Sequence, residues 1–327
     1  MRALRRGLAL AVCLLATTGG GAFAQAGFPD RPVRLVIPFA PGGETDVFAR
    51  AISGRLGELL GQQVVIENRP GATGIVASEL VARSKPDGYT LIFGTAATHA
   101  LNLAVFKTLP YHPLKDFEPV AFVGTVPIVL FAHPSMPATL REFLAVIKAN
   151  PGKYSYGAAG SSTSHLGVEL MKAAAGGLSA VHVPYKGSAP AVQDTVAGQV
   201  QFVVASIGVG YPLAKAGRLR ALAVASNQRL AAAPEVPTFS EAGLADFEVG
   251  TWNVVMGPPG VPPAVVARLN SALNETLREA GVRERLTQLG IAPVADSTPA
   301  STAETVQREI VKWKRAFDLS GAKQEAP

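Results

Sequence analysis

The sequence predicts an α/β fold of two domains joined by two crossing strands, on three observations. A unit of strand, glycine turn and helix recurs along the chain. Two long β-rich stretches are punctuated by glycine or proline, and the single cysteine, Cys13, lies within the first 26 residues. A mature chain of roughly 300 residues can rest on core packing alone and commonly divides in two.

Residues 1–26 read as a secretory signal. Arg2, Arg5 and Arg6 form a basic start, LALAVCLLA a short apolar core, and AFA or AQA a small-residue cleavage site near Ala24 or Ala26. Removing it removes Cys13 and with it any disulfide or thiol nucleophile. The three arginines carry half of the formal +6, leaving a balance of +3. Such a weak positive balance suits a small anionic ligand and excludes nucleic acid as the partner. No later apolar run is long enough to span a bilayer.

The first unit is VRLVIPFAPGGETDVFAR, residues 33–50. Val33, Leu35, Val36 and Ile37 favour a strand, Pro41-Gly42-Gly43 a tight turn, and Phe48, Ile52, Leu56 and Leu59 recur at helical spacing. Paired glycines let a ligand approach the backbone, and the first amides of the following helix carry about half a positive charge. Neither G-x-G-x-x-G nor G-x-x-x-x-G-K-[ST] is present, so a nucleotide is not indicated. QVVIENRPGATG gives a second strand closed by Arg69-Pro70-Gly71, then a helix through Val76, Leu80 and Val81. YTLIFGTAATHALN gives a third strand ending in Gly94, Thr95 and Thr98, where open α/β sheets place ligands; His99 beside them reads as a structural residue.

PVAFVGTVPIVLFAHP, interrupted by Gly124 and Pro127, is longer than most strands and reads as one segment serving two sheets. FEVGTWNVVMGPPG, residues 247–260, mirrors it. The two bracket an inserted domain of residues 126–249, with 27–125 and 250–327 forming its discontinuous partner.

Inside the insert, KYSYGAAGSSTSHLGVELMKAAAG is again strand, turn and helix, and Ser161, Ser162, Thr163 and Ser164 supply more hydroxyls than one N-cap needs. AVHVPYKGSAPAVQDTVAG places Tyr185, Lys186, Gly187 and Ser188 at a second mouth. QVQFVVASIGVGYP opens at Ser206 into an expected Gly208-Val209-Gly210 loop, RLRALAVAS closes the sheet, and VPTFSEAGL is an irregular return. The tail reads as a helical pair that starts at prolines, then a final helix with Ile310, Trp313 and Phe317 on one stripe and solvated charged neighbours.

The chain offers no catalytic set. G-x-S-x-G, H-E-x-x-H and paired cysteines are missing, and the five histidines lack metal-ligand spacing. His165 and Glu169 share a helix face and read as a surface pair rather than two metal ligands. The expectation is a binder with no metal, no cofactor and no catalytic residue; a secreted hydrolase using Ser161 or Ser162 with His165 is the remote alternative.

FPDRPVRLVIPFAPGGETDVFAR, GTAATHALN, YHPLKDFEPVAFVG, SHLGVELMK, VHVPYKGSAPAVQD, AGRLRALAVAS and PTFSEAGL, in this order, resemble the substrate-binding proteins of tripartite tricarboxylate transporters. The resemblance covers essentially the whole mature chain. It implies a periplasmic binding protein of type II, a monomer that closes its lobes on a small organic acid and hands it to the permease subunits of a membrane transporter. A sensory protein that presents its loaded form to a membrane receptor is the alternative. The implied ligand residues are Phe39, Ala40, Gly42, Gly43, Thr45 and Asp46 with Thr95 and Thr98 on one rim. On the other they are Ser161, Ser162, Thr163, Tyr185, Lys186, Gly187, Ser188 and Ser206. Asp46 is expected chiefly to brace its turn. Two places depart from the family pattern: Glu44, a carboxylate beside an anion site, and the Ala205-Ser206 stretch, where relatives often carry an acid and an amide, then a proline where Gly208 stands.

Overall fold

A computed structural model describes residues 27–245 and 247–325; the predicted signal sequence and its cleavage site lie outside the described residues. The chain forms a mixed α/β structure on a curled sheet with strand order β2-β1-β3-β9-β4-β7-β5-β6, to which β8 and β10 add by pairing with β4.

β1 (Val33–Ile37), β2 (Val64–Asn68) and β3 (Thr90–Thr95) are mutually parallel. β1 is buried along nearly its whole length, as a central parallel strand covered on both faces must be. Helix α1 (Glu44–Leu60) buries Phe48, Ile52, Leu56 and Leu60 and ends at Gly61 in the left-handed region, φ 74°. α2 (Ile75–Ala82) follows β2, and a π turn (Ala97–Leu101) running into α3 (Asn102–Val105) follows β3.

β4 (Glu118–Ala132) runs for 15 residues and changes partners midway. Its first part pairs antiparallel with β9 (Gly250–Gly257) as far as Pro127↔Gly250; from Ile128 it pairs with β7 (Phe202–Ser206) and β8 (Arg220–Val224). Pro127 has no amide to donate, and it stands where the ladder changes hands. Opposite it, a Cβ on Gly250 would lie 2.7 Å from the Val126 carbonyl oxygen, so only glycine lets the two backbones pass this closely.

Between the crossings, α4 (Leu140–Ala149) leads to β5 (Ser155–Ala158), α5 (Thr163–Ala174), β6 (Val181–Pro184), α6 (Ser188–Val196), β7 and α7 (Ile207–Lys215). β5, β6 and β7 form a second parallel set. The expected Gly208-Val209-Gly210 loop is instead the first turn of α7. Packing overrides the low helix propensity of glycine there, because a Cβ on Gly210 would lie 2.3 Å from the Phe131 ring.

α8 (Pro263–Arg278) and α9 (Ala280–Gln288) form the expected pair, and β10 (Ala292–Pro293) joins β4. α10 (Pro299–Ser320) opens with a reciprocal Thr298–Ser301 capping box and buries Trp313. One predicted solvated charge beside that tryptophan is in fact a tie. Glu309 Oε2 accepts the indole N–H of Trp252 at 2.7 Å and of Trp313 at 2.9 Å, fastening α10 to β9.

Candidate functional site

The register fixes how the two parallel sets meet. β3 runs in the direction of β4 and ends at Thr95, level with Asn253, which is level with Gly124; β7 runs the opposite way and ends at Ser206, level with Ile128. The carboxyl ends of the two sets therefore point toward each other across four residues of β4, about 13 Å along the strand direction. Loops at such ends are where an open sheet presents its binding groups.

On the first rim Gly42 adopts φ +80°, and its amide donates to Asp46 Oδ2 at 2.9 Å. The buried Asp46 carboxylate also accepts from Arg50 Nε at 3.0 Å and from Asn68 Nδ2 at 2.9 Å, while Asn68 reaches the Phe39 carbonyl. The Arg50 bond, reinforced by Gly42 and Asn68, holds the Asp46 carboxyl down at about 2. Asp46 is thereby a brace whose oxygens face the protein. Gly43 is the N-cap of α1 and has no side chain to offer, leaving the first amides of α1 uncapped. Phe39 is half-buried, Ala40 and Gly43 are exposed, and Thr45 is buried.

Thr95 and Thr98 are both buried and serve each other. The Thr95 amide donates to Thr98 Oγ1 at 2.9 Å, and that hydroxyl also lies 2.8 Å from His99 Nδ1. His99 is fully buried, with Nε2 unpartnered among the described residues, and burial lowers its pKa to about 3. It is a neutral packing residue, as expected. Arg69-Pro70-Gly71 reads in the sequence only as the close of β2, yet just beyond it Ala72 (φ 44°) and Thr73 (φ 52°) sit in the left-handed region and Asn102 Nδ2 donates to the Thr73 carbonyl. Non-glycine residues in that region cost of order 1–3 kcal/mol each and gather at binding sites; the RPGATG turn was the available signal.

On the second rim Ser162 caps α5: its hydroxyl accepts from the His165 amide and donates to the Ala159 carbonyl at 2.7 Å. Ser161 is left-handed at φ 51°, and its amide donates to His165 Nδ1. Thr163 and Ser164 are half-buried in the first turn of α5. Tyr185 donates to Asp194 at 2.7 Å; Lys186 is exposed, with no hydrogen bond or ion pair among the described residues. α6 begins after Gly187 and α7 after Ser206, both without a side-chain cap. Side-chain caps are present on α4, α5 and α10, from Thr139, Ser162 and Thr298, and absent from α2, α8 and α9 as well, so what sets α1, α6 and α7 apart is their place after strand ends that converge on β4.

The expected surface pair His165–Glu169 is buried instead. Glu169 accepts from the Tyr156 hydroxyl at 2.5 Å and from Lys172, and the His165 ring stacks on His182 at 3.9 Å. Tyr156 of β5 and His182 of β6 pack on the i,i+4 face, so it points at the sheet; periodicity alone could not reveal that. Burial, with His182 alongside, lowers His165 to about 4. Its Nδ1 accepts an amide and the Ser162 hydroxyl donates to a carbonyl, an arrangement for positioning rather than for activating a serine.

Comparison with known proteins places this geometry. Residues 48–321 match the family described as tripartite tricarboxylate transporter family receptor. A protein from the tcbD-tcbE intergenic region of Pseudomonas sp. strain P51 is 40% identical over 314 residues, 95% of this chain and 93% of the relative. The structure of MatC from Rhodopseudomonas palustris with bound malate matches at TM-score 0.71 and 37% identity, covering 89% of this chain and 100% of that one. An R. palustris protein solved with adipate matches at TM-score 0.76 and 35% identity, covering 91% and 100%.

Proposed function

We propose, from the premise that this chain belongs to the tripartite tricarboxylate transporter family of receptors, that it captures a small carboxylate between two lobes and delivers it to membrane permease subunits. The observation that carries this reading is the set of helix starts, α1 on one rim and α6 and α7 on the other, whose amides have no side-chain cap among the described residues and whose strands converge on the middle of β4. Uncapped amides at helix starts are donors for oxyanions.

Each helix start contributes about 0.3–1 kcal/mol to a bound anion. A micromolar ligand needs roughly 8 kcal/mol in total. Backbone donors, rim hydroxyls, Lys186 and apolar burial must therefore act together. The lobes are residues 27–125 with 250–327 and residues 126–249, hinged at Pro127 and Gly250, where β4 exchanges partners. Asp46, Thr95 and Thr98 shape their rim from within, whereas Gly42, Gly43, Thr45, Ser161, Thr163, Lys186, Ser188 and Ser206 supply contacts. The protein works in the periplasm as a monomer without catalysis, after its signal is removed. Malate and adipate are bound by two structural relatives and are the first probes.

Titration calorimetry with a panel of di- and tricarboxylates tests this. One or more should bind, and at a hundredfold excess over Kd should stabilise the protein by about 2.7 kcal/mol against urea. A panel without a single binder would overturn it.

A further inference from the structure

Resting on the proposed carboxylate site, the inference concerns what else the ligand carries. Glu44 is the first residue of α1, immediately after the uncapped Gly43. Its side chain is exposed to solvent, and among the described residues it takes part in no hydrogen bond or ion pair. The cations of its own rim are committed elsewhere: Arg50 to Asp46, and Arg34 and Arg69 to Glu67. Surrounding protein nevertheless presses on it, raising its carboxyl to about 7, as befits a group that water reaches only from one side. The crowding of nearby protein around this solvent-accessible group is the sole cause of that shift.

The opposite rim carries the converse. Lys186 is exposed at the mouth of α6, again with no ion pair among the described residues. One rim thus carries an acid and the other a base, neither paired with another side chain among the described residues, beside the uncapped helix starts of α1 and α6. A ligand that is only an anion satisfies the base and the amides but is repelled by the acid. A ligand with both a carboxylate and an ammonium group satisfies all three.

We propose that Glu44 selects amino-bearing carboxylates, its carboxylate receiving the ligand's ammonium group while Lys186 and the rim amides hold a ligand carboxylate. No covalent step is involved. The ammonium holds Glu44 ionised, so binding near neutral pH releases a fraction of a proton from it.

The test compares matched pairs that differ by one amino group: succinate with aspartate, glutarate with glutamate, adipate with 2-aminoadipate. Calorimetry is run on the full mature protein and on Glu44→Gln and Lys186→Met. The wild type should bind the amino member of at least one pair roughly tenfold to a hundredfold tighter, the scale of one hydrogen bond between charged groups. Glu44→Gln should erase or reverse that ratio, weakening the amino member and leaving the plain acid bound at least as tightly as in the wild type. Lys186→Met should weaken both members together. Glu44 is exposed, so Glu44→Gln should leave the fold intact, and its urea midpoint checks this.

Repeating the wild-type titration in buffers of different ionisation enthalpy should reveal proton release that is absent in Glu44→Gln. A wild type that prefers the plain acids, or a ratio that Glu44→Gln leaves unchanged, overturns the assignment. So does Glu44→Gln weakening both members equally, the signature of a direct Glu44–Lys186 pair on closure. Absence of binding by every acid in the panel counts instead against the carboxylate site itself.

Discussion

Replacing Asp46 by asparagine removes the brace of the glycine turn while keeping its shape. In the wild type the carboxylate accepts from the Gly42 amide, Arg50 Nε and Asn68 Nδ2. The asparagine side chain has one oxygen and two N–H groups, so it can satisfy at most two of those donors and turns its own N–H groups toward the rest. The depression of Asp46 from 3.8 to about 2 corresponds to about 2.4 kcal/mol. The Arg50 share of this must be discounted, because that side chain is half exposed and screened by water. Orphaning donors on the turn works the other way, at about 1–3 kcal/mol. The expected net loss is about 2 kcal/mol, read as a lower urea midpoint at unchanged slope, with weaker carboxylate binding because the Gly42–Gly43 amides are no longer held in place. The sign in pH follows from the depressed pKa. Stabilisation by Asp46 is complete above 3.8 and is lost as pH falls through about 2, so the gap between wild type and variant should persist at pH 5 and close only in strong acid. A variant as stable as wild type at pH 7, with unaltered affinity, would refute the bracing role.

Other substitutions probe the supports of the site. Gly94→Ala puts a Cβ 2.4 Å from the His99 ring and 3.1 Å from Val254, and should cost about 1–3 kcal/mol in urea denaturation; an unchanged midpoint would contradict this packing. Glu309→Ala strands the indole N–H groups of Trp252 and Trp313 and should cost about 2–4 kcal/mol, with Glu309→Gln recovering part of it; equal stability of both to wild type would remove the tie. His99 and His165 are held neutral, lowered to about 3 and about 4, whereas the unfolded chain protonates near 6.5. Stability should therefore fall as pH drops from 6.5 toward 4, by up to about 1.4 kcal/mol per unit for each histidine, partly offset by the opposite slope of Glu44, whose carboxyl is raised from 4.5 to about 7. Measured in Glu44→Gln, which removes that opposing titration, a flat profile across the window would show that neither histidine is buried neutral.

The local units were legible because each is written in short-range chemistry. Val33–Ile37, the Pro41-Gly42-Gly43 turn and the Phe48, Ile52, Leu56 spacing specify β1, its turn and α1 without outside help. The length of the 118–132 stretch, with Gly124 and Pro127 inside it, announced a strand shared between sheets. What stayed hidden depends on partners distant in sequence. Asn68 reaches Asp46 across 22 residues, and Glu309 reaches Trp252 across 57. The His165 face reads as solvated from spacing, whereas Tyr156 and His182 from β5 and β6 cover it. Gly208-Val209-Gly210 read as a loop because glycine is a poor helix former, yet Gly210 is the residue that lets α7 sit on Phe131. The rim hydroxyls show the same limit: spacing marks Ser161–Ser164 as special, but only the geometry separates Ser162, spent on capping α5, from its neighbours.

The most direct test is a crystal structure of the mature protein with whichever acid binds best in the panel. The ligand's carboxylate oxygens should lie within hydrogen-bond distance of the first amides of α1 on one side, and of α6 or α7 on the other, near Gly124–Ile128 of β4. Density for the acid elsewhere, such as the cavity between α3 and α10 lined by Ala104, Ile310 and Phe317, with the two rims unoccupied, would contradict it.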